Sequence, residues 1–183
     1  MHRIGFVIVG LSLAGATALA QSGTQPAAAA QQAPGATAKA QLKDAKGQDV
    51  GEVTLRETPQ GVLMQVTLRN VEPGVKAFHI HDVGRCEGPT FQSAGPHFNP
   101  SKRQHGIVAS SGAHAGDLPN VHVPESRSAS VEVLASGLKL AAGDGGLLDA
   151  NGSAVVLHAK ADDYATDPSG NAGDRVACGV VTK

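Results

Sequence analysis

Aromatic residues are scarce in this sequence, and neither charge is in surplus. Of the 183 residues only 3 % are aromatic and none is tryptophan, whereas glycine occurs 23 times and proline 10 times. This composition favours a turn-rich β protein over a helical bundle. The formal net charge is -1, from 15 basic and 16 acidic residues. A nucleic-acid or anionic-membrane partner would call for a basic excess, so the charge balance argues against both.

A hydrophobic run long enough for a convincing membrane anchor is also lacking. Residues 4–13 are apolar but interrupted by glycine and serine, and they follow the basic residue Arg3. Ala18-Leu19-Ala20 has the small-residue pattern of a cleavage site, so residues 1–20 are predicted to be a secretory signal peptide. No cysteine nearby could accept a lipid. We therefore expect an exported protein without a stable membrane anchor.

Cysteine is scarce, since Cys86 and Cys178 are the only two in the chain. In an oxidising compartment such a pair is expected to form a disulfide. The bond would close a loop of about 90 residues and stabilise the fold by roughly 4–5 kcal/mol in the chain-entropy treatment. The alternative is a pair of unrelated buried thiols.

Helical periodicity is absent after the predicted signal peptide. Residues 21–37 are rich in Ala, Gln, Gly and Pro and are predicted to be a flexible linker. From Ala38 onward apolar side chains recur at every second position, as on a strand with one solvent-facing side. Residues 38–183 are therefore predicted to be one all-β domain, an antiparallel sandwich or barrel. Strands are predicted at 52–56, 62–68, 77–81, 128–133, 153–158 and 176–181.

Histidine, by contrast, is abundant, with 8 in the chain. His79 and His81 are two positions apart on a predicted strand and so point to the same face, where they could bind one metal ion. His158 ends another apolar strand and could be a further ligand. The alternatives are a solvated strand face for the pair and an ordinary exit to solvent for His158. Imidazole suits both copper and zinc, so ligand type alone does not name the ion.

A second group of ligand-type residues lies in the long segment 82–127, which has no strand period. His97, His105, His114 and Asp117 fall within 21 positions. Three imidazoles and a carboxylate form the closed four-ligand shell typical of structural zinc. Such a site would stabilise a loop that is unusually long for a compact domain. The alternative is a set of solvated loop histidines.

Several motifs from Ala38 to Lys183 together resemble the copper/zinc superoxide dismutase family in order, spacing and local sequence. Two further segments, Asp82-Val83-Gly84-Arg85-Cys86 and Lys160-Ala161-Asp162-Asp163-Tyr164, are similar to its exported bacterial branch. The family motifs are Phe78-His79-Ile80-His81, Ser93-Ala94-Gly95-Pro96-His97-Phe98-Asn99-Pro100, His105-Gly106, His114-Ala115-Gly116-Asp117-Leu118 and Gly170-Asn171-Ala172-Gly173-Asp174-Arg175-Val176-Ala177-Cys178-Gly179.

The resemblance implies a Greek-key β-sandwich or barrel with a long metal-binding loop and a second active-site loop. It implies disproportionation of superoxide to dioxygen and hydrogen peroxide, with copper and zinc as cofactors, and allows a homodimer. Asp162 would orient one histidine of each metal, Arg175 would attract the substrate anion, and Cys86 would pair with Cys178. The implied copper ligands are His79, His81, His97 and His158, and the implied zinc ligands are His97, His105, His114 and Asp117, with His97 bridging both ions and taking part in catalysis.

Four positions depart from the family pattern or have no counterpart in it. Lys76 and Ala77 replace a His-Gly pair, with little expected effect on metal binding. Asp174 stands where relatives usually carry glycine or serine, and its carboxylate is expected to weaken the positive field of Arg175. His122 is expected to be an ordinary surface residue, with adventitious metal binding as the alternative. The rival functions are a non-catalytic exported copper/zinc carrier and a zinc-stabilised domain without copper.

Overall fold

The computed structural model describes His2 and residues 35–143 and 145–183. The predicted signal peptide, apart from His2, and residues 21–34 of the predicted linker lie outside the described residues. Within the described part of the chain there are nine β-strands, one short 3-10 helix and no α-helix, so the all-β prediction is confirmed. Among these residues no helix has the length and apolar character needed to cross a membrane.

The strands alternate buried and exposed residues where one face is wet, as in Thr37–Asp44 and Gly61–Leu68. The first strand begins at Thr37, one residue before the predicted start of the domain. The strands Thr37–Asp44, Gly74–Lys76 and Val121–Val123 and the short 3-10 helix were not predicted. The strands are β1 Thr37–Asp44, β2 Asp49–Thr58, β3 Gly61–Leu68, β4 Gly74–Lys76, β5 Phe78–His81, β6 Val121–Val123, β7 Ala129–Ser136, β8 Ala154–His158 and β9 Arg175–Val180, with the 3-10 helix at Gln92–Ala94.

Seven strands form one curled antiparallel sheet in the order β5-β8-β9-β1-β2-β3-β7, and β4 pairs with β6. The consecutive hairpins β1-β2 and β2-β3 have β9 beside β1, which is the spatial order of a Greek key. The β2-β3 hairpin turns through Pro59 and Gln60, as predicted. The hydrophobic core contains the fully buried Phe78, Leu55 and Met64.

Strands β5 and β8 differ from the others because every one of their residues is buried. One face of β5 carries Phe78 and Ile80 into the core, and the other carries His79 and His81. The pairing of β5 with β8 sets His79 opposite Val156 and His81 opposite Ala154. Burial on both sides gives the histidine face of this strand pair a rigid position on the sheet.

Parts of the long segment 82–127 pair with the free edge of β5. The Ile80 N–H donates to Gly116 O (2.9 Å), and the Phe98 N–H donates to Ile80 O (2.8 Å). Isolated bridges then set His81 opposite His97 and His79 opposite Asp117. These backbone contacts bring residues of the two predicted metal sets together before any side chain is considered.

The predicted disulfide between Cys86 and Cys178 is present, with the two Cα atoms 5.6 Å apart. It joins the long segment to β9, two strands away from β5 in the sheet. The residues enclosed by this bond include every candidate metal ligand after Cys86.

Candidate metal centre

Four histidines form the first group of candidate ligands, and each offers a ring nitrogen within 4.8 Å of the others. The four atoms are buried and have no hydrogen-bond partner: His79 Nδ1, His81 Nε2, His97 Nε2 and His158 Nε2. A buried polar atom without a partner is costly, so four converging lone pairs fit a bound cation.

The opposite ring nitrogen is engaged in three of these histidines, which sets their tautomers. His81 Nδ1–H donates to Gly95 O (2.9 Å), and His158 Nδ1–H donates more weakly to Gly173 O (3.3 Å). His79 Nε2–H donates to the Asp162 carboxylate at 2.8 Å. In each ring the remaining nitrogen therefore bears a lone pair that points into the group, as metal ligation requires.

A second group surrounds one oxygen of Asp117. The Nδ1 atoms of His97, His105 and His114 lie 2.8, 3.1 and 3.2 Å from Asp117 Oδ1. The other oxygen, Oδ2, accepts the backbone N–H groups of Gly106 and His114, each at 3.0 Å. Three imidazoles and one carboxylate, all buried, fit a closed tetrahedral zinc shell.

His97 belongs to both groups, because its Nε2 faces the first and its Nδ1 faces the second. Its ring centroid is 4.0 Å from that of His79. His97 alone among the candidate ligands offers one nitrogen to each set. This is the arrangement expected of a bridging imidazole.

Asp162 is not among the candidate ligands, but it forms hydrogen bonds with one histidine of each group. Its Oδ2 accepts His79 Nε2–H, and its Oδ1 accepts His105 Nε2–H at 2.9 Å. One carboxylate therefore orients a histidine of each group.

Burial controls the charge of these rings in the metal-free chain. It lowers the pKa of His81 to about 2, of His97 to about 4 and of His158 to about 3, so all three are neutral near pH 7. Burial would raise the pKa of Asp117, but hydrogen bonds from His97 and the Gly106 N–H outweigh it and hold that pKa well below its ordinary value. Neutral imidazoles and an ionised carboxylate are the ligand forms that metals bind.

An open cavity of about 870 Å³ leads to the first group, and His81, His97, His158 and Arg175 line it. Arg175 begins β9 and donates to Phe91 O and Gly95 O, each at 2.7 Å. Gly95 O also accepts His81 Nδ1–H, so a single carbonyl aligns the arginine with a candidate ligand. Asp174 is exposed on the same wall, next to Arg175.

The structure thus brings together all seven candidate ligands, Asp162 and Arg175, while His122 is exposed on β6. Sequence reasoning overlooked Asn120, Tyr164 and Gly170, which contact Asp162. The family-like segments included Gly170 and Tyr164 without assigning a role to either, and nothing marked Asn120, because an asparagine in a loop carries no spacing signal. Lys76, judged unimportant for metals, is buried and donates to Ala159 O (2.9 Å), one residue after His158.

Comparison with known proteins gives consistent matches. The family model described as copper/zinc superoxide dismutase matches residues 50–181. A superoxide dismutase [Cu-Zn] of Aquifex aeolicus is 43 % identical over 144 residues, which cover 78 % of this chain and 85 % of that protein. One of Caulobacter vibrioides is 42 % identical over 79 % of this chain and 85 % of its own length.

Solved structures match as well. The SOD-like protein from Bacillus subtilis has a TM-score of 0.76 and 37 % identity, covering 82 % of this chain and 100 % of that chain. The Cu/Zn superoxide dismutase from Brucella abortus has a TM-score of 0.66 and 26 % identity, covering 80 % and 100 %.

Proposed function

The chain belongs to the copper/zinc superoxide dismutase family, and from that membership we propose that it converts two superoxide anions and two protons to dioxygen and hydrogen peroxide. The observation that carries the proposal is the set of four unpartnered imidazole nitrogens beside Arg175 at an open cavity. His79, His81, His97 and His158 would hold copper. His97, His105, His114 and Asp117 would hold zinc.

When bound, copper would supply the one-electron redox chemistry that disproportionation requires, whereas zinc has no redox chemistry and would stabilise the long segment that carries its ligands.

Arg175 would bind and orient the anion. Its guanidinium has five N–H donors, of which two are used by Phe91 O and Gly95 O. The remaining donors are available to an oxygen of superoxide in the cavity. Because an arginine stays protonated at any physiological pH, the attraction persists throughout turnover.

His97 would carry one of the two protons that peroxide needs. Its Nε2 has no protein partner and its ring lines the cavity, so this nitrogen could hold a proton between the two half-reactions. The second proton would come from water in the cavity. The overall balance is one superoxide oxidised to dioxygen and one reduced to peroxide with two protons.

The test combines metal analysis of purified protein with a superoxide-consumption assay. We expect about one copper and one zinc per chain, and loss of activity in His158→Ala with zinc retained. Normal metal content without activity in the unaltered protein would support the non-catalytic carrier. Protein that contains zinc but no copper, consumes no superoxide, and keeps its zinc content and stability after loss of His79, His81 and His158 would support the zinc-only domain.

We further propose export to the periplasm after cleavage behind Ala20, with residues 21–37 as a linker and 38–183 as the catalytic domain. The disulfide supports an oxidising compartment. N-terminal sequencing of protein from a periplasmic extract tests the cleavage site, and light scattering of metal-loaded protein tests the homodimer that the family resemblance allows.

A further inference from the structure

Asp162 influences both candidate metal groups at once, yet no strand holds it. It lies in the irregular segment after β8, so no ladder of backbone hydrogen bonds determines its position. Its carboxylate must nevertheless meet His79 Nε2 at 2.8 Å and His105 Nε2 at 2.9 Å. Some other contact has to place the backbone of this residue.

Asn120 provides that contact with both ends of its side-chain amide. Its Nδ2 donates to Asp162 O (2.9 Å), and its Oδ1 accepts the Asp162 N–H (2.8 Å). Because the amide engages both the N–H and the C=O of the same residue, it restricts rotation as well as translation. Asn120 is only three residues after Asp117, so it ties Asp162 to the segment that carries a candidate zinc ligand.

Tyr164 completes the arrangement from the other side. Its hydroxyl oxygen accepts the Asn120 N–H at 2.7 Å, and its own N–H donates to Asp162 Oδ1 at 2.6 Å. We call Asn120, Asp162 and Tyr164 the amide clasp. A Cβ at Gly170, where φ is +61°, would overlap Asp162 Oδ1, so a glycine is needed for the carboxylate to sit there.

We propose that Asn120 is a positioning residue for both metals, acting through Asp162 on His79 and His105. The proposal rests on the proposed function only in assigning copper and zinc to the two groups. Loss of Asn120 frees the Asp162 backbone, so the carboxylate no longer holds the Nε2–H of both rings. The free lone pairs at His79 Nδ1 and His105 Nδ1 are then less well aimed, and both ions bind more weakly.

The experiment compares Asn120→Ala with Asn99→Ala. Asn99 makes the same kind of two-bond contact, from its amide to the N–H (2.9 Å) and C=O (2.8 Å) of Arg103, in the same long segment. It does not touch Asp162, so it is a matched control for the loss of two hydrogen bonds. Zinc and copper affinities are measured separately by competition with a chromophoric chelator. The absorption spectrum of cobalt(II) bound in place of zinc is recorded for each variant.

For Asn120→Ala we expect the affinities for copper and for zinc each to fall about tenfold or more. A decrease of this size is typical when a residue that orients metal ligands is lost. The cobalt spectrum should change even when the site is saturated. Asn99→Ala should keep affinities within about twofold of the original and leave the spectrum unchanged. A purely structural role would lower thermal stability in both variants without altering the saturated spectrum, and that result would overturn the proposal.

Tyr164→Phe provides a second variant in case Asn120→Ala does not fold. It removes only the hydroxyl that accepts the Asn120 N–H, so a smaller spectral change in the same direction is expected. An unchanged spectrum and unchanged affinities in this variant would contradict the clasp. All these readouts are independent of superoxide turnover, so failure of the clasp and failure of the proposed dismutation are distinguishable.

Discussion

At the scale of single residues, burial and hydrogen bonding prepare the histidines for metal before any metal binds. Carbonyl or carboxylate acceptors engage one nitrogen of His79, His81 and His158, leaving the other with a free lone pair. His97 differs, because both of its nitrogens face candidate ligand groups. The contact made by the second ring nitrogen therefore distinguishes the candidate terminal ligands His79, His81 and His158 from the candidate bridge His97.

The buried histidines should make the metal-free protein acid-sensitive. Folding lowers the pKa of His81, His97 and His158 below the ordinary 6.5, so below that pH the unfolded chain binds more protons. Stability is fully present above about pH 6.5 and falls as the pH drops toward 4, by at most about 1.4 kcal/mol per pH unit for each ring. The pKa values of the carboxylates Asp117 and Asp162 are also lowered, so their contribution to stability is lost only below about pH 4.

Urea unfolding of metal-free protein between pH 7.5 and 5 measures this slope. His158→Phe removes one of the three rings and should reduce the slope by roughly a third. A free energy of unfolding that does not change across this interval would show that the rings are already protonated or exposed.

A single charge beside Arg175 should affect the rate of substrate capture. Asp174 is exposed on the cavity wall, so Asp174→Gly or Asp174→Asn should raise the rate at low salt. We expect the rate to rise about twofold, as for the electrostatic effect of one exposed charge at high dielectric. The increase should become smaller as added salt screens the charge. Glu125→Gln, on an exposed turn, is the control for loss of a carboxylate. An unchanged or lower rate in the Asp174 variants disproves this effect.

At the scale of elements, the site depends on how closely the long segment approaches β5. Gly116 faces Ile80 O, and a Cβ there would overlap that oxygen and lie 3.1 Å from Phe98. Its φ is not in the left-handed region, so the requirement is for space and not for backbone freedom. The register of His79 opposite Asp117 follows from this contact.

Gly116→Ala should therefore push the segment away from β5. We expect a loss of about 1–3 kcal/mol in the free energy of unfolding, as for other overpacked sites, together with weaker zinc binding. Gly143→Ala, where a Cβ would meet nothing within 4 Å, is the matched control and should be close to neutral. Equal stability of the two variants in urea unfolding would show that the segment adapts without cost.

At the scale of the whole molecule, a Greek-key sheet and one covalent bond enclose the site. β9 pairs with both β8 and β1, and Cys178 on β9 binds Cys86 in the long segment. That segment also supplies Phe91 O and Gly95 O to Arg175. The disulfide is thus expected to restrict the unfolded chain and to hold the acceptors of the arginine.

The double variant Cys86→Ser, Cys178→Ser should lose roughly 4–5 kcal/mol of stability in the chain-entropy treatment. Superoxide turnover should fall more than metal content, because Arg175 loses both of its acceptors, Phe91 O and Gly95 O, whereas among the histidines only His81 shares one of them. Treatment of the unaltered protein with a reductant should reproduce both effects and leave the double variant unchanged. Equal activity with and without the disulfide would show that the bond is not needed to align Arg175.

The sequence by itself determined the strand class and the candidate chemistry. Alternation in β3 predicted its one wet face, and the family motifs named seven candidate ligands and Asp162. These inferences succeed because side-chain period and ligand type are local properties of the chain. Export and the linker stay predictions, since they fall almost entirely on residues outside those described.

Only the tertiary structure decided which contacts place those ligands. Two such contacts join residues that are distant in sequence: the hydrogen bond between β5 and Gly116, and the hydrogen bonds of the Asn120 amide with the Asp162 backbone. No spacing in the sequence indicates either contact. The unpredicted β4 and β6 form one short pair. Such three-residue strands are stabilised by their partner, so their own sequence carries little evidence of them. The physical reason is general. Which residues can bind a metal is a local property of the sequence, whereas the orientation of their side chains depends on backbone groups that only folding brings close.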